Sequence, residues 1–242
     1  MTHAIPGRGP VLEALKAGRT LREVVIDRRG GPELTTIADA ARGAGVAVRT
    51  GDRNALDGLS TGVLHQGVVA VAPDFPYARL DDVADATLLV MLDSVTDPQN
   101  LGAIARSAEA AGAGGLIVRE RRSVGVTPAA EKAAAGALSW LPVVRVGNLV
   151  RALDDLARRG LWSVGLAGDA PQSLWEAGLL DGPVTVVVGA EGSGLSRLTA
   201  ERVDMLVRIP MQGRMTSLNA SAAAAVVLFE VVRRQGGGGT VG

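Results

Sequence analysis

The chain has no cysteine and only two histidines, His3 and His65, in 242 residues. Disulfides and thiolate metal sites are excluded, and a zinc centre or a Ser-His-Asp hydrolase has almost no material, so no metal is expected. Lysine is confined to Lys16 and Lys132. Positive charge therefore rests on arginine, whose planar fork holds phosphate bidentately and stacks on bases. Aromatic residues make up 2% of the chain, which argues against the stacking platforms of single-strand binders. No run of about 18 apolar residues is present, and Met1-Thr2-His3-Ala4-Ile5-Pro6 lacks the basic and apolar regions of a secretory signal. A soluble, cytoplasmic protein without a membrane partner is expected. Basic and acidic residues balance at 25 each, so any nucleic-acid contact has to be a local patch.

What is present is ample apolar material. Hydrophobic residues make up 47% of the chain, enough to pack one large domain or two small ones. Helical spacing over 10–17, a strand at Leu21–Asp27, a helix at Glu33–Gly43 and strands at Val46–Val48 and Leu64–Ala72 predict a small α/β module over 1–72. Two prolines and three acidic residues between Pro73 and Asp82 suit an extended linker, placed at 73–86. Beyond it come strands at Leu88–Leu92, Gly115–Val118, Val143–Val146, Trp162–Leu166, Val184–Val188 and Leu206–Ile209. Helices at Leu101–Ala111, Pro128–Leu138 and Asn148–Arg159 interrupt them. That alternation predicts a parallel sheet covered on both faces over 87–235. A last helix from about Ser217 to Arg234 is ended by Gly236, and 236–242 is expected to be a flexible tail.

Three blocks carry candidate chemistry. The first is Asp93-Ser94-Val95-Thr96-Asp97-Pro98-Gln99-Asn100-Leu101-Gly102-Ala103-Ile104-Ala105-Arg106-Ser107. Asn100 reads either as a helix cap after Asp97-Pro98 or as a ligand-binding amide. Arg106 lies six residues on, across an expected loop-to-helix start, so the two need not share a helix face. The second block, Gly189-Ala190-Glu191-Gly192-Ser193-Gly194-Leu195, is a glycine turn after a buried strand, where a small molecule can approach the backbone. It matches the dinucleotide fingerprint only in part. Arg197 stands where a third glycine belongs, and Glu191 would face a pyrophosphate, which disfavours a nicotinamide cofactor. Read alone, Glu191 is a surface turn carboxylate. In the third block, Arg208-Ile209-Pro210-Met211 precedes Thr216-Ser217-Leu218-Asn219-Ala220-Ser221, where Ser217 reads as a helix N-cap without a full capping box. Ile209, Met211 and Leu218 read alone as core. His65 reads as a hydrogen-bonded structural histidine. The clusters Arg28-Arg29 and Arg119, Arg121, Arg122 are either solvated faces or salt-sensitive phosphate contacts.

The three blocks, in this order and spacing, resemble the motifs of the SpoU, or TrmH, class of SPOUT RNA methyltransferases. Gly7-Arg8 through Leu15 and Leu64-His65-Gln66-Gly67-Val68-Val69-Ala70 look like the amino-terminal module of the RlmB-type 23S rRNA guanosine 2′-O-ribose methyltransferases. The resemblance implies a small RNA-recognition domain followed by a parallel-sheet domain ending in a deep trefoil knot, an exception to the rule that chains do not thread loops. It implies a homodimer with no DNA partner, transferring methyl from S-adenosylmethionine to a ribose 2′-hydroxyl of RNA. A guanosine of 23S rRNA is favoured. Enzymes acting on tRNA or conferring resistance through rRNA share the motifs, and a non-catalytic RNA-binding or ribosome-assembly factor is the reading from another class.

Carried over position by position, the resemblance places Asn100, Arg106, Glu191, Ser217 and Asn219 at the methyl-transfer site. It assigns Gly189, Ala190, Glu191, Ile209, Met211, Leu218 and Asn219 to the cofactor. A guanidinium keeps its charge in proteins, so Arg106 is expected to hold phosphate or ribose and stabilise developing alkoxide charge instead of taking a proton. The alanine-rich stretch after Asn219 is expected to serve the cofactor subdomain and the homodimer contact.

Overall fold

The computed structural model describes residues 3–121 and 123–236. The amino-terminal module runs β1 (His3–Pro6), α1 (Arg8–Lys16), β2 (Glu23–Asp27), α2 (Pro32–Gly43), β3 (Ala47–Gly51), α3 (Arg53–Ser60) and β4 (Val68–Ala72). Its sheet has the order β1-β4-β2-β3, with β4 antiparallel to both neighbours and β2 parallel to β3. Ile5, Val24, Ile26 and Val68 meet Val11, Leu34 and Ile37 of the two long helices in one apolar cluster. Two elements of this module escaped the sequence reading. Strand β1 is too short to show alternation, and α3 has few apolar positions, although Asp52 caps it by accepting from the Ala55 amide at 2.9 Å.

The second module contains β5 (Leu88–Asp93), α4 (Pro98–Ala110), β6 (Gly115–Arg119), α5 (Pro128–Ala134), β7 (Val143–Val146) and α6 (Leu149–Ala157). It continues through β8 (Trp162–Leu166), β9 (Gln172–Ser173), β10 (Val184–Gly189), α7 (Arg197–Arg202), β11 (Met205–Arg208) and α8 (Ala220–Arg234). The seven strands are ordered β7-β6-β5-β10-β8-β11-β9, and every pairing is parallel. Period-2 alternation then fills both faces. Leu88, Val90 and Leu92 join Leu101, Ile104 and Val227 on one side, while Leu89 and Met91 join Leu149, Leu153 and Leu156 on the other. Each fully buried side chain of this size contributes roughly 1.5–3 kcal/mol, and truncating Met91 to alanine would cost about 2–5 kcal/mol. Because the strands are parallel, their carboxyl ends share one edge, where open α/β sheets bind ligands.

Three expected helices shift, and the strand expected at Leu64–Ala72 begins at Val68, because Gln66 and Gly67 turn left-handed. The helix expected at Leu101–Ala111 begins at Pro98, because Asp97 caps it and proline suits its first turn. The expected Pro128–Leu138 helix stops at Ala134, where Ala135 turns left-handed with φ 53°, before a short 3₁₀ turn at Ala137–Ser139. The terminal helix starts at Ala220, not Ser217. Beyond Gly236, the expected tail lies outside the described residues, as does Arg122.

The segment between the sheets is docked instead of hanging free. Phe75 and Tyr77 pack edge to face at 5.0 Å, Ala78 bridges Val144, and the Tyr77 hydroxyl accepts from the Val126 amide at 3.0 Å. The two modules also meet through a buried charge. Glu131 on α5 has no exposed surface, and its Oε1 lies 2.7 Å from both His3 Nε2 and Arg19 Nη1. Trp140 adds a bond at 3.0 Å to the Glu13 carboxylate. Among the described residues no helix is long and apolar enough to cross a membrane.

Candidate active site

Helix α4 carries the first block to the sheet edge. Asp97 accepts from the Gln99 amide at 2.9 Å, so Asp97 is the cap and Asn100 lies inside the first turn, 5% exposed. Asn100 and Arg106 therefore share one helix, contrary to the expected loop-to-helix division. Six residues advance the helix by about 9 Å. Arg106 is exposed and makes no hydrogen bond or ion pair among the described residues.

The second block succeeds β10, which lies beside β5 with Gly189 opposite Asp93. Ala190 and Gly194 exchange backbone bonds of 3.0 and 2.9 Å, folding the turn tightly on itself. A Cβ at Gly189 would sit 2.2 Å from the Gly194 carbonyl carbon, so only glycine fits at this approach. Asp93 is fully buried and accepts from the Ser196 amide at 2.7 Å and the Ser94 hydroxyl at 3.0 Å. Burial pushes its carboxyl up, but hydrogen bonding from Ser196, Thr199 and Ser94 outweighs this and holds it below its ordinary value. Sequence reasoning missed Asp93 as a positioning residue. Its signal was a lone charge closing an apolar strand.

The third block completes a three-way junction. Asn100 Nδ2 donates to Glu191 Oε1 at 3.1 Å, and Asn219 Nδ2 donates to Asn100 Oδ1 at 3.0 Å and also to the Glu191 carboxylate. The other end of Asn219 caps α8, its Oδ1 accepting from the Ser221 amide at 2.8 Å and the Ser221 hydroxyl at 2.6 Å. Asn219, not Ser217, is thus the N-cap, because only it precedes the first helical residue. Ser217 is exposed and makes no hydrogen bond among the described residues.

Beside the junction lies a cavity of about 660 Å³, bordered by Gly189, Ala190, Glu191, Ile209, Met211, Ser217, Leu218 and Asn219. That size lies within the range of roughly 300–1,000 Å³ typical of small-molecule sites. Asn100 and Arg106 do not line it. Leu166, Ala167 and Gly168 at the end of β8 also border the cavity and were not expected. The strand there ends at Leu166 and is followed by Ala167 and Gly168, with no polar side chain to mark them.

The SpoU rRNA Methylase family model matches residues 87–229, and a model for RNA 2′-O ribose methyltransferase substrate binding matches 4–78. The chain belongs to the SpoU rRNA methylase family. A Mycobacterium avium protein described as an uncharacterized tRNA/rRNA methyltransferase is 42% identical over 232 residues, covering 92% of this chain and 74% of that one. The 23S rRNA (guanosine-2′-O-)-methyltransferase RlmB of Pseudomonas syringae is 45% identical over 202 residues, covering 81% and 80%. The SpoU methyltransferase AviRb of Streptomyces viridochromogenes, solved in complex with the cofactor AdoMet, superposes with a TM-score of 0.83 at 29% identity, covering 98% of this chain and 92% of that one. The knot implied by the resemblance is consistent with that likeness. The SpoU methylase is accordingly an RNA 2′-O-ribose methyltransferase of a family that uses S-adenosylmethionine.

The cavity's chemistry fits that group. Apolar Leu166, Val188, Ile209, Met211 and Leu218 suit an adenine, strand-end backbone is within reach, and one carboxylate, Glu191, suits a sulfonium.

Proposed function

We propose that this SpoU methylase modifies the 2′-hydroxyl of a guanosine in 23S rRNA, using the Asn100–Glu191–Asn219 junction as the centre of its site. That junction carries the reading. It joins three sequence blocks through hydrogen bonds at the rim of the cavity that suits the methyl donor. The guanosine and 23S preference is supported by the 45% identical RlmB, whose similarity extends over 81% of this chain.

When bound, S-adenosylmethionine supplies a methyl group on a sulfonium, a leaving group that needs no metal. Gly189, Ala190, Ile209, Met211 and Leu218 hold it. Both amide donors in the junction engage the same Glu191 oxygen, Oε1, so Oε2 is left to orient the ribose or to complement the positive sulfur. Asn219 fixes Glu191 relative to α8, and Asn100 fixes it relative to α4. Arg106, unpaired on the same helix, holds the target phosphate or ribose and stabilises charge developing on the attacking oxygen. Ser217, at the cavity border with its hydroxyl unbonded among the described residues, helps to fix the reacting ribose. Alignment of that oxygen with the methyl can supply up to roughly 7–11 kcal/mol of the barrier reduction.

The amino-terminal module, 1–72, is the RNA-recognition part, joined through 73–86 to a methyl-transfer module over 87–235. The working unit is a cytoplasmic homodimer, supported by exposed Phe229 on α8 and exposed Leu198 on α7. Sedimentation at assay concentration should give a dimer, and a fully active monomer would refute it. The target is tested by mapping 2′-O-methyl sites in rRNA and tRNA from cells with and without the protein. A missing 23S guanosine mark is expected. Loss of a tRNA mark with all 23S marks retained would overturn the target while leaving the reaction intact.

A further inference from the structure

The Gly7-Arg8 and His65-Gln66-Gly67 segments take no part in the methyl-transfer site, yet they meet each other and the second module at one point. Arg8 Nε donates to the Gln66 carbonyl at 3.0 Å, and Lys132 Nζ, reaching across from α5, donates to Gln66 Oε1 at 2.6 Å. Gln66 has φ 52°, a left-handed conformation uncommon for a residue with a side chain. It is held there by His65. The buried His65 ring accepts from the Gly67 amide at 3.0 Å through Nδ1 and bonds Asp57 at 3.1 Å through Nε2. The Lys132 chain lies over Gly7, where a Cβ would come within 2.5 Å of Nζ. Local structure on both modules is therefore arranged to bring two cations to one glutamine.

The charges at this point do not balance. Lys132 has no carboxylate partner among the described residues. The adjacent Glu131 points into the module seam and is occupied by His3 and Arg19. Among the described residues Arg8 pairs only with Glu33, and both groups are exposed, at 45% and 68%. Such surface pairs are worth about 0–1 kcal/mol, so an incoming anion can displace Glu33. Partial burial and the charge of Arg8 together press the Lys132 ammonium below its ordinary value. An anion would relieve both effects. Asp27, whose amide bonds the Gly67 carbonyl at 2.8 Å, is paired with Arg29, and exposed Arg28 lies between them in sequence.

We propose that Arg8 and Lys132, converging on Gln66 at the seam of the two modules, bind one phosphodiester of the RNA substrate. This rests on the proposed RNA methylation and adds a contact shared by both modules. A phosphate held by one cation from each fixes the path of the RNA from the recognition module toward the sheet edge. Gly7, Gln66 and His65 are positioning residues for that site.

The experiment uses the full-length protein and a 23S rRNA fragment that the wild type methylates, with affinity measured across a salt series. Removing one phosphate contact lowers the slope of log affinity against log salt by about one. Lys132→Met and Arg8→Gln should each lower the slope and together lower it by about that amount, while Lys132→Arg should keep it, with S-adenosylmethionine affinity unchanged in all of them. A purely structural tie would leave the slope alone. The exposed Arg8→Gln variant keeps the test open should Lys132→Met fold poorly. Wild-type slopes in folded Lys132→Met and Arg8→Gln overturn the site while the RNA reading stands. A wild type that methylates no 23S rRNA fragment overturns that reading and this site with it. Inorganic phosphate provides the second arm. Phosphate that shifts the Lys132 ammonium resonance while both variants keep the RNA slope shows a free-anion site and overturns the RNA assignment.

Discussion

Replacing Asn219 separates two jobs that the structure gives to one side chain. Its Oδ1 caps α8 through Ser221 and Ala222, and its Nδ2 ties Asn100 to Glu191. Asn219→Ala removes both. Loss of the cap costs about 1 kcal/mol, which for a chain of this size lowers the melting temperature by roughly 2–4 °C. Asn219→Ser keeps an equally good cap and removes only the amide donor. A hydrogen bond to a charged group contributes about 1.5–3 kcal/mol. Because Asn219 and Glu191 are exposed, the lower end applies, and about 1.5 kcal/mol in the transition state corresponds to roughly tenfold in rate. Methyl transfer from labelled S-adenosylmethionine at saturating RNA should therefore fall about tenfold in Asn219→Ser, with its melting temperature close to wild type. Wild-type turnover in that variant would refute the junction as the centre of the site. Activity that tracks only melting temperature across the two variants would show that the cap alone matters.

Gly189→Ala should weaken cofactor binding and destabilise the fold together, since its Cβ would meet Gly194 backbone at 2.2 Å; calorimetry with S-adenosylmethionine and a thermal melt check both. Asp93 is held below its ordinary value of 3.8, so its stabilisation is full above that pH and is lost as pH falls through the lower folded value. Melting temperature should thus drop less between pH 5 and pH 3 in Asp93→Asn than in the wild type, and identical acid limbs would count against the Ser196 and Ser94 contacts. Arg19→Met should cost about 3–5 kcal/mol in urea unfolding, because it strips a partner from buried Glu131. An unchanged midpoint would mean that His3 suffices.

Much of this architecture was readable because apolar runs and turns repeat. Leu88–Asp93 and Val184–Gly189 are continuous apolar strands, and a parallel sheet with both faces covered requires such runs. Short or polar elements were not readable. Arg53–Ser60 is eight residues long with apolar side chains only at Ala55, Leu56 and Leu59, and Gln172–Ser173 is only two residues long. Helix starts were misplaced where two residues competed for one cap. Asp97 won over Asn100, and Asn219 won over Ser217, because backbone amides two or three positions on face the side chain nearest the first turn.

Those small shifts change the chemistry. A cap at Asn100 would have spent its side chain on backbone, whereas two residues into α4 the same amide is free to reach Glu191. Resemblance supplied the names of the residues that meet, but not that Asn219 acts at once as cap and as bridge. Nor does any local pattern show it, since the contacts span 91 and 119 positions along the chain. The positions are brought together by parallel strand ends. Asp93 and Gly189 lie in register on adjacent strands, so the first and second blocks must emerge from the same edge of the sheet. Order in the sheet thus brings the first two blocks together, Asp93 ties the end of β5 to Ser196 just beyond the second block, and Asn219 joins the third to both.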